Sequence, residues 1–142
     1  MLFHTENRRR LCMNLSYIAI DGDNVGQKIE WLVVNERPKE LTTFSNNYHQ
    51  AMEWLEQRLE SRLVAKIIFN GGDSLLAAFE HKNSLSLNEL ETIRKRFLEI
   101  AQTTISIGIG GNLRQAYFAL KLAKAKGRDR IEIFEEFVDE QL

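Results

Sequence analysis

With 142 residues, eight glycines and a single proline, the chain has the length of one domain with a core of its own and is too ordered in composition for a linker. A formal net charge of −1 lacks the basic footprint of a duplex binder, so duplex nucleic acid is not expected as a partner. The lone Cys12 and three scattered histidines exclude a disulfide framework and a thiolate zinc site.

The opening MLFHTENRRRLC is polar, basic and unpatterned, and Met13 follows it directly. Residues 1–12 therefore read either as an extension ahead of a start at Met13 or as an ordinary amino-terminal arm. Residues 13–142 read as one domain. No apolar run has the length of a membrane span and no signal peptide is visible, so a cytoplasmic location is expected.

The first apolar run, SYIAID (16–21), predicts a buried strand, and NVGQKIEWLVV after it predicts a short helix. NERPKELTT, around Pro38, reads as a loop. From Ser45 to Arg62 the residues Tyr48, Ala51, Met52, Leu55 and Leu59 recur at helical spacing. LVAKIIF (63–69) and SLLAAFE (74–80) predict two strands joined by NGGD, a tight-hairpin signal because glycines accept the positive φ of such turns. Ser86 with Glu89 forms a capping box, and Leu85 with Leu90 a hydrophobic staple, ahead of a helix carrying Ile93, Phe97 and Ile100.

TTISIGIG (103–110) alternates as a fourth strand. The next helix places Leu113, Ala116, Tyr117, Leu120 and Ala123 on one face, with Gly127 as its C′ residue. RIEIF (130–134) is a fifth, peripheral strand. A hairpin flanked by helical crossovers is the split βαβ order of α+β, ferredoxin-like folds. In that topology the first strand and the hairpin lie side by side at the sheet centre, and their carboxylates meet at one edge.

Asp21 and Asp23 stand two apart at the end of the first strand, and where strand geometry persists through Gly22 both side chains point to one face. Two like charges this close cost stability unless they are solvated or matched by a cation. Asp73 arrives from the hairpin turn, and three converging carboxylates call for hard cations. Gly22 lets a ligand approach and offers its carbonyl as a further oxygen donor. Mg²⁺ is commonly held by one or two carboxylates plus substrate phosphates, and two ions can clamp an in-line displacement. Each motif alone is ordinary: a solvated turn, a hairpin. The basic run ALKLAKAKGRDR (119–130) taken alone is a solvated face that complements the end of the helix dipole.

Taken in order, IAIDGDNVG, FNGGDSLL, SIGIG and ALKLAKAKGRDR resemble the palm domain of the GGDEF and CRISPR-polymerase nucleotide cyclases, and most of all the minimal CRISPR polymerases, mCpol. The resemblance runs from about Tyr17 to Phe134 and implies a ferredoxin-like palm with an extra C-terminal helix and strand. It implies a metal-dependent nucleotidyltransferase that makes a cyclic oligonucleotide, cyclic di-adenylate, from ATP in antiphage defence. Asp21, Asp73 and Lys124 would be catalytic. Asp21, the Gly22 carbonyl and Asp73 would bind Mg²⁺ or Mn²⁺ in a two-ion site, with Asp23 a further ligand or a neighbour of the site. Nucleotide contacts would come from Gly22, Asn24, Gly71, Gly72, Ser74, Lys124 and Arg128. The implied partners are the triphosphate, a second copy of the chain, and a separate cyclic-nucleotide-binding effector that in that family is a membrane protein.

Two features depart from the pattern. Ser74 follows Asp73 where GGDEF enzymes have a second acid, which leaves no general base assigned. The guanine-reading pattern is not recognisable in NVGQKIEWLVV, which leans toward ATP. A catalytically degenerate palm that binds nucleotide or a protein partner is the alternative. An RNA-recognition module on the same topology would need stacking aromatics on its central strands, and the strands offer little beyond Phe69.

Overall fold

The computed structural model describes residues 15–80 and 87–135. Among these residues five strands and four helices follow in the order β1 (Leu15–Gly22), α1 (Val25–Val34), α2 (Pro38–Leu63), β2 (Lys66–Asn70), β3 (Ser74–Glu80), α3 (Leu87–Ala101), β4 (Ile105–Gly110), α4 (Leu113–Ala125) and β5 (Ile131–Ile133). The sheet order is β2-β3-β1-β4-β5, antiparallel except for the parallel β4–β5 pair. This is the expected α+β, ferredoxin-like arrangement, with β1 at the centre. The hairpin lies to one side of it, with β2 at the sheet edge.

Alternation along the strands sorts side chains between two layers. Ile18, Ile20, Leu75, Ala77, Ile105 and Ile107 enter the main core against α2 and α3. On α2 the expected stripe of Tyr48, Ala51, Met52, Leu55 and Leu59 is buried, extended by Phe44 and Leu63. On the opposite face α4 packs Ala116 and Leu120 against Ala19 of β1.

The largest boundary differences from the sequence expectation lie at the two ends of α2. Helix α2 begins at Pro38, inside the stretch read as a loop. Proline suits the first helical turn, where its missing N–H costs nothing, and Arg37 pairs with Glu40 at 3.2 Å across that turn. Leu63 belongs to α2 rather than to the second strand. Val64 takes a left-handed φ of 51° there, and the Ala65 N–H closes the helix on the Leu59 carbonyl. The capping box at Ser86, the staple through Leu85, and residues 1–12 lie outside the described residues.

The stripe of α4 also differs: Leu113 and Tyr117 are exposed, and Ala116, Ala119, Leu120 and Ala123 are buried. The cause is in β4. A Cβ on Gly108 would lie 2.2 Å from the Leu120 nitrogen, and one on Gly110 2.4 Å from the Ala116 nitrogen. The helix backbone presses directly on the strand, so only small residues fit between them. Arg128 N–H bonds to the Ala123 carbonyl and Gly127 N–H to that of Lys124, a Schellman motif with Gly127 at φ 119° as the expected C′ residue.

Gly108→Ala is expected to destabilise the fold by about 3 kcal/mol, the upper end of overpacking costs, because backbone rather than side chain must move. Gly26→Ala, on α1 with nothing within 4 Å of its Cβ, should be neutral or stabilising by up to about 1 kcal/mol. Urea unfolding of the pair measures the contrast, and equal stabilities would refute close packing of α4.

Candidate active site

The end of β1 carries the site. Asp21 is in register with Ser74 on β3 and Ser106 on β4. One residue on, the Gly22 N–H bonds to the Asp73 carbonyl at 3.1 Å, which ties the hairpin turn to β1. The turn forms as predicted: Gly72 takes φ 92°, its N–H bonds to the Asn70 side chain, and Gly71 N–H bonds to Ser74 O.

Asp21 and Asp23 share one face, and a cation does lie between them. The Lys124 ammonium is 3.1 Å from Asp21 Oδ2 and 2.8 Å from Asp23 Oδ1, and it donates to the Gly22 carbonyl at 2.8 Å. It reaches them because α4 lies so close on β4. The two carboxylates otherwise have different surroundings. The Asp21 side chain is 35% exposed, whereas that of Asp23 is 2% exposed.

Asp23 accepts from Ser106 Oγ at 2.7 Å, Thr104 Oγ1 at 2.7 Å and the Asp129 N–H at 2.9 Å, besides Lys124. Burial by itself would raise its pKa. The hydrogen bonds from Lys124, Ser106, Thr104 and Asp129 outweigh burial and hold it below the usual carboxylate value. Arg128 and Asp129 take left-handed φ values of 66° and 48°, and Arg94 on α3 pairs with the Asp129 carboxylate and with Glu91 at 2.5 Å. That clamp holds the Asp129 N–H toward Asp23.

Among the described residues no group of three or more His, Cys, Asp or Glu side chains is placed to hold a metal ion. Asp23 is committed to β4 and the 127–130 loop, while Asp73 is exposed at the turn. Of the basic run, Lys124 meets the carboxylates. Lys121 lies over the Tyr117 ring at 5.1 Å, Lys126 and Arg130 pair with Glu132, and Arg128 and Asn24 are exposed.

Tyr48, legible in the sequence only as a core position of α2, belongs to the site. Its hydroxyl donates to the Asp73 carbonyl at 3.0 Å and occupies the space of the missing Gly22 side chain, where a Cβ would lie 2.2 Å away. Phe97 packs edge-on against its ring at 5.7 Å. Burial, then the charges of Asp21, Asp73 and Asp23, push its pKa well above the ordinary tyrosine value. Tyr48 also lines a cavity of about 400 Å³ between α1 and α2 that reaches Gly72, with Val25, Ile29, Phe44, Ser45 and His49. A larger groove of about 810 Å³, by Phe118, Leu122 and Ile133, touches none of these carboxylates.

Strand-end carboxylates on the central strand, a glycine hairpin beside them and a lysine from α4 define a palm of the nucleotide cyclase and polymerase type. The profile of the mCpol family, the minimal CRISPR polymerase domain, matches residues 17–134, and the chain belongs to that family. Comparison with curated proteins yields no match.

Among solved structures, the GGDEF domain of the PA2567 protein from Pseudomonas aeruginosa is similar at TM-score 0.54 and 10% identity, over 98% of this chain and 97% of that one. The Csm1–Csm4 cassette in complex with pppApA is similar at TM-score 0.61 and 16% identity, over 82% of this chain and 20% of that one. A DinB family error-prone DNA polymerase from Sulfolobus solfataricus matches at TM-score 0.53 and 14% identity, over 85% of this chain and 47% of that one. These likenesses share the palm fold. Among the described residues no helix is long and apolar enough to cross a membrane.

In an unfolded chain tyrosine ionises near pH 10, and in the folded protein Tyr48 does so only above that. Its contribution to stability is therefore full below about pH 10 and is lost as pH rises from there toward the folded value. Tyr48→Phe should lose about 1 kcal/mol at neutral pH, the worth of the hydrogen bond, and show a shallower loss of stability in alkali. Denaturant melts across that range test this, and parallel pH profiles for the two proteins would refute it.

Proposed function

We propose that the protein is a metal-dependent nucleotidyltransferase that joins two ATP molecules into a cyclic dinucleotide and releases pyrophosphate. The observation that carries this reading is the strand-end Asp21–Gly22 pair hydrogen-bonded to the Asp73 turn, with the Lys124 ammonium 3.1 Å from Asp21.

The donor set fits a hard divalent ion: a half-exposed carboxylate, a backbone carbonyl and an exposed carboxylate on the adjoining turn. Asp21, the Gly22 carbonyl and Asp73 would hold Mg²⁺ or Mn²⁺, with triphosphate oxygens completing the shell. Asp23, its carboxylate oxygens engaged by four donors, serves as a neighbour that fixes the site. Bound there, divalent ions supply the charge that acidifies a ribose hydroxyl and neutralises the departing pyrophosphate.

Gly71 and Gly72 let the phosphates approach the turn. Asn24, Ser74 and Arg128, on the rim of the same strand ends, contribute nucleotide contacts, and Lys124 offsets charge on the leaving group. The cavity by Tyr48 takes the base. Its lining carries neither carboxylate nor carboxamide to accept from the N–H edge of guanine, which favours adenine. Closing a ring requires two bonds between two nucleotides, and the described residues hold one such strand end, so two protomers face each other across the product. Membership of the mCpol family supports a cytoplasmic role in antiphage defence through a separate cyclic-nucleotide-binding effector, a membrane protein. Ser74, where related enzymes have an acid, is what a degenerate palm would show, and such a palm would bind ATP without turnover.

Incubation with each NTP and Mg²⁺ or Mn²⁺ should yield pyrophosphate and a cyclic product from ATP in preference to GTP. Asp21→Ala and Asp73→Ala should each abolish product while the circular dichroism spectrum is kept, and light scattering with substrate should give a dimer mass. Full activity in Asp73→Ala, or a monomer during turnover, overturns the corresponding part.

A further inference from the structure

We propose that the Lys124 ammonium is a built-in occupant of the cation position at the end of β1, and that a divalent ion enters only by exchanging with it. The inference rests on the metal-site reading above and adds to it a competition within the chain.

An ammonium has three donors, and that of Lys124 meets three acceptors: Asp21 Oδ2 at 3.1 Å, the Gly22 carbonyl at 2.8 Å and Asp23 Oδ1 at 2.8 Å. The Lys124 side chain is 18% exposed, so its charge is largely removed from water and its hydrogen bonds are made within the protein. Two of those acceptors, Asp21 and the Gly22 carbonyl, are the oxygens a hard ion would take. Two cations on the same pair of oxygens repel at short range.

The third acceptor is different in kind. Asp23 is held by Ser106, Thr104 and the Asp129 N–H whether or not Lys124 is there. It can therefore keep the site assembled while Lys124 swings on its four-carbon stem. The exchange has a cost for metal alone, because Lys124 gives up two partners. A triphosphate beside the turn provides Lys124 with new anionic oxygens. Metal and triphosphate should therefore bind better together than separately, by a coupling that is reciprocal.

Mn²⁺ binding to the full chain, followed by electron paramagnetic resonance of the free ion, tests this without turnover. Wild type should bind Mn²⁺ alone weakly, and a non-hydrolysable ATP analogue should tighten it by about tenfold. Lys124→Met and Lys124→Gln should each bind Mn²⁺ alone about tenfold tighter than wild type, with most of the enhancement by the analogue gone. The glutamine variant retains an N–H donor for Asp23, and melting curves identify a variant that fails to fold. Independently of any variant, the ¹⁵N resonance of the wild-type Lys124 ammonium should shift when metal and analogue are added.

Asp21-dependent Mn²⁺ binding in both variants that is no tighter than in wild type overturns the exchange and leaves the metal site standing. An unmoved Lys124 resonance under saturating metal and analogue overturns it as well. Absence of saturable Mn²⁺ binding in every form, analogue present, overturns the metal-site reading and the exchange with it.

Discussion

A buried carboxylate must be fully paired or it costs several kilocalories per mole, and the architecture around Asp23 is arranged to meet that demand. Its two oxygens accept from Ser106, Thr104, the Asp129 N–H and Lys124. These donors come from β4, from the residue pair just before it, from the 127–130 loop and from the last turn of α4. One side chain thus draws together segments separated by more than eighty residues.

Each donor has its own structural prerequisite. Ser106 faces Asp23 because β4 alternates large residues toward the main core and small ones toward α4. Lys124 arrives because Gly108 and Gly110 allow the helix backbone onto the strand. The Asp129 N–H is aimed by a Schellman turn followed by two left-handed residues. Such residues are strained and persist only where surrounding contacts determine them, here Arg94 on one side and Asp23 on the other.

This pairing divides labour between two aspartates that look alike in the chain. Asp23 organises and Asp21 is left partly open, paired with Lys124. On the other side of β1, Tyr48 performs the matching task for the hairpin. It fills the space beside Gly22 and bonds the Asp73 carbonyl, so the turn cannot drift from the strand end. Gly22, which the sequence offers for ligand approach, is at least as much a requirement of Tyr48.

The order of elements, the central position of β1, the NGGD turn and the C′ role of Gly127 were all legible, because each follows from local periodicity or backbone preference. The start of α2 was not, since Pro38 signals a loop and a first helical turn equally well. The exposed Leu113 and Tyr117 were missed because a helical stripe shows which residues align, not how close the strand beneath comes. Tyr48 is a core position both by its spacing and in the fold. Nothing in its spacing tells that its hydroxyl ends against Asp73.

By itself the sequence placed two carboxylates two residues apart at the end of a buried strand, where extended backbone carried through Gly22 turns both to one face. It also determined that a glycine hairpin and a lysine-bearing helix would follow. Only the tertiary structure decided which carboxylate is buried and which is open, and which of five basic residues meets them. The reason is that burial and charge pairing here are long-range: Asp23 meets Ser106, Lys124 and Asp129 only after the sheet has closed and α4 has settled on its glycines.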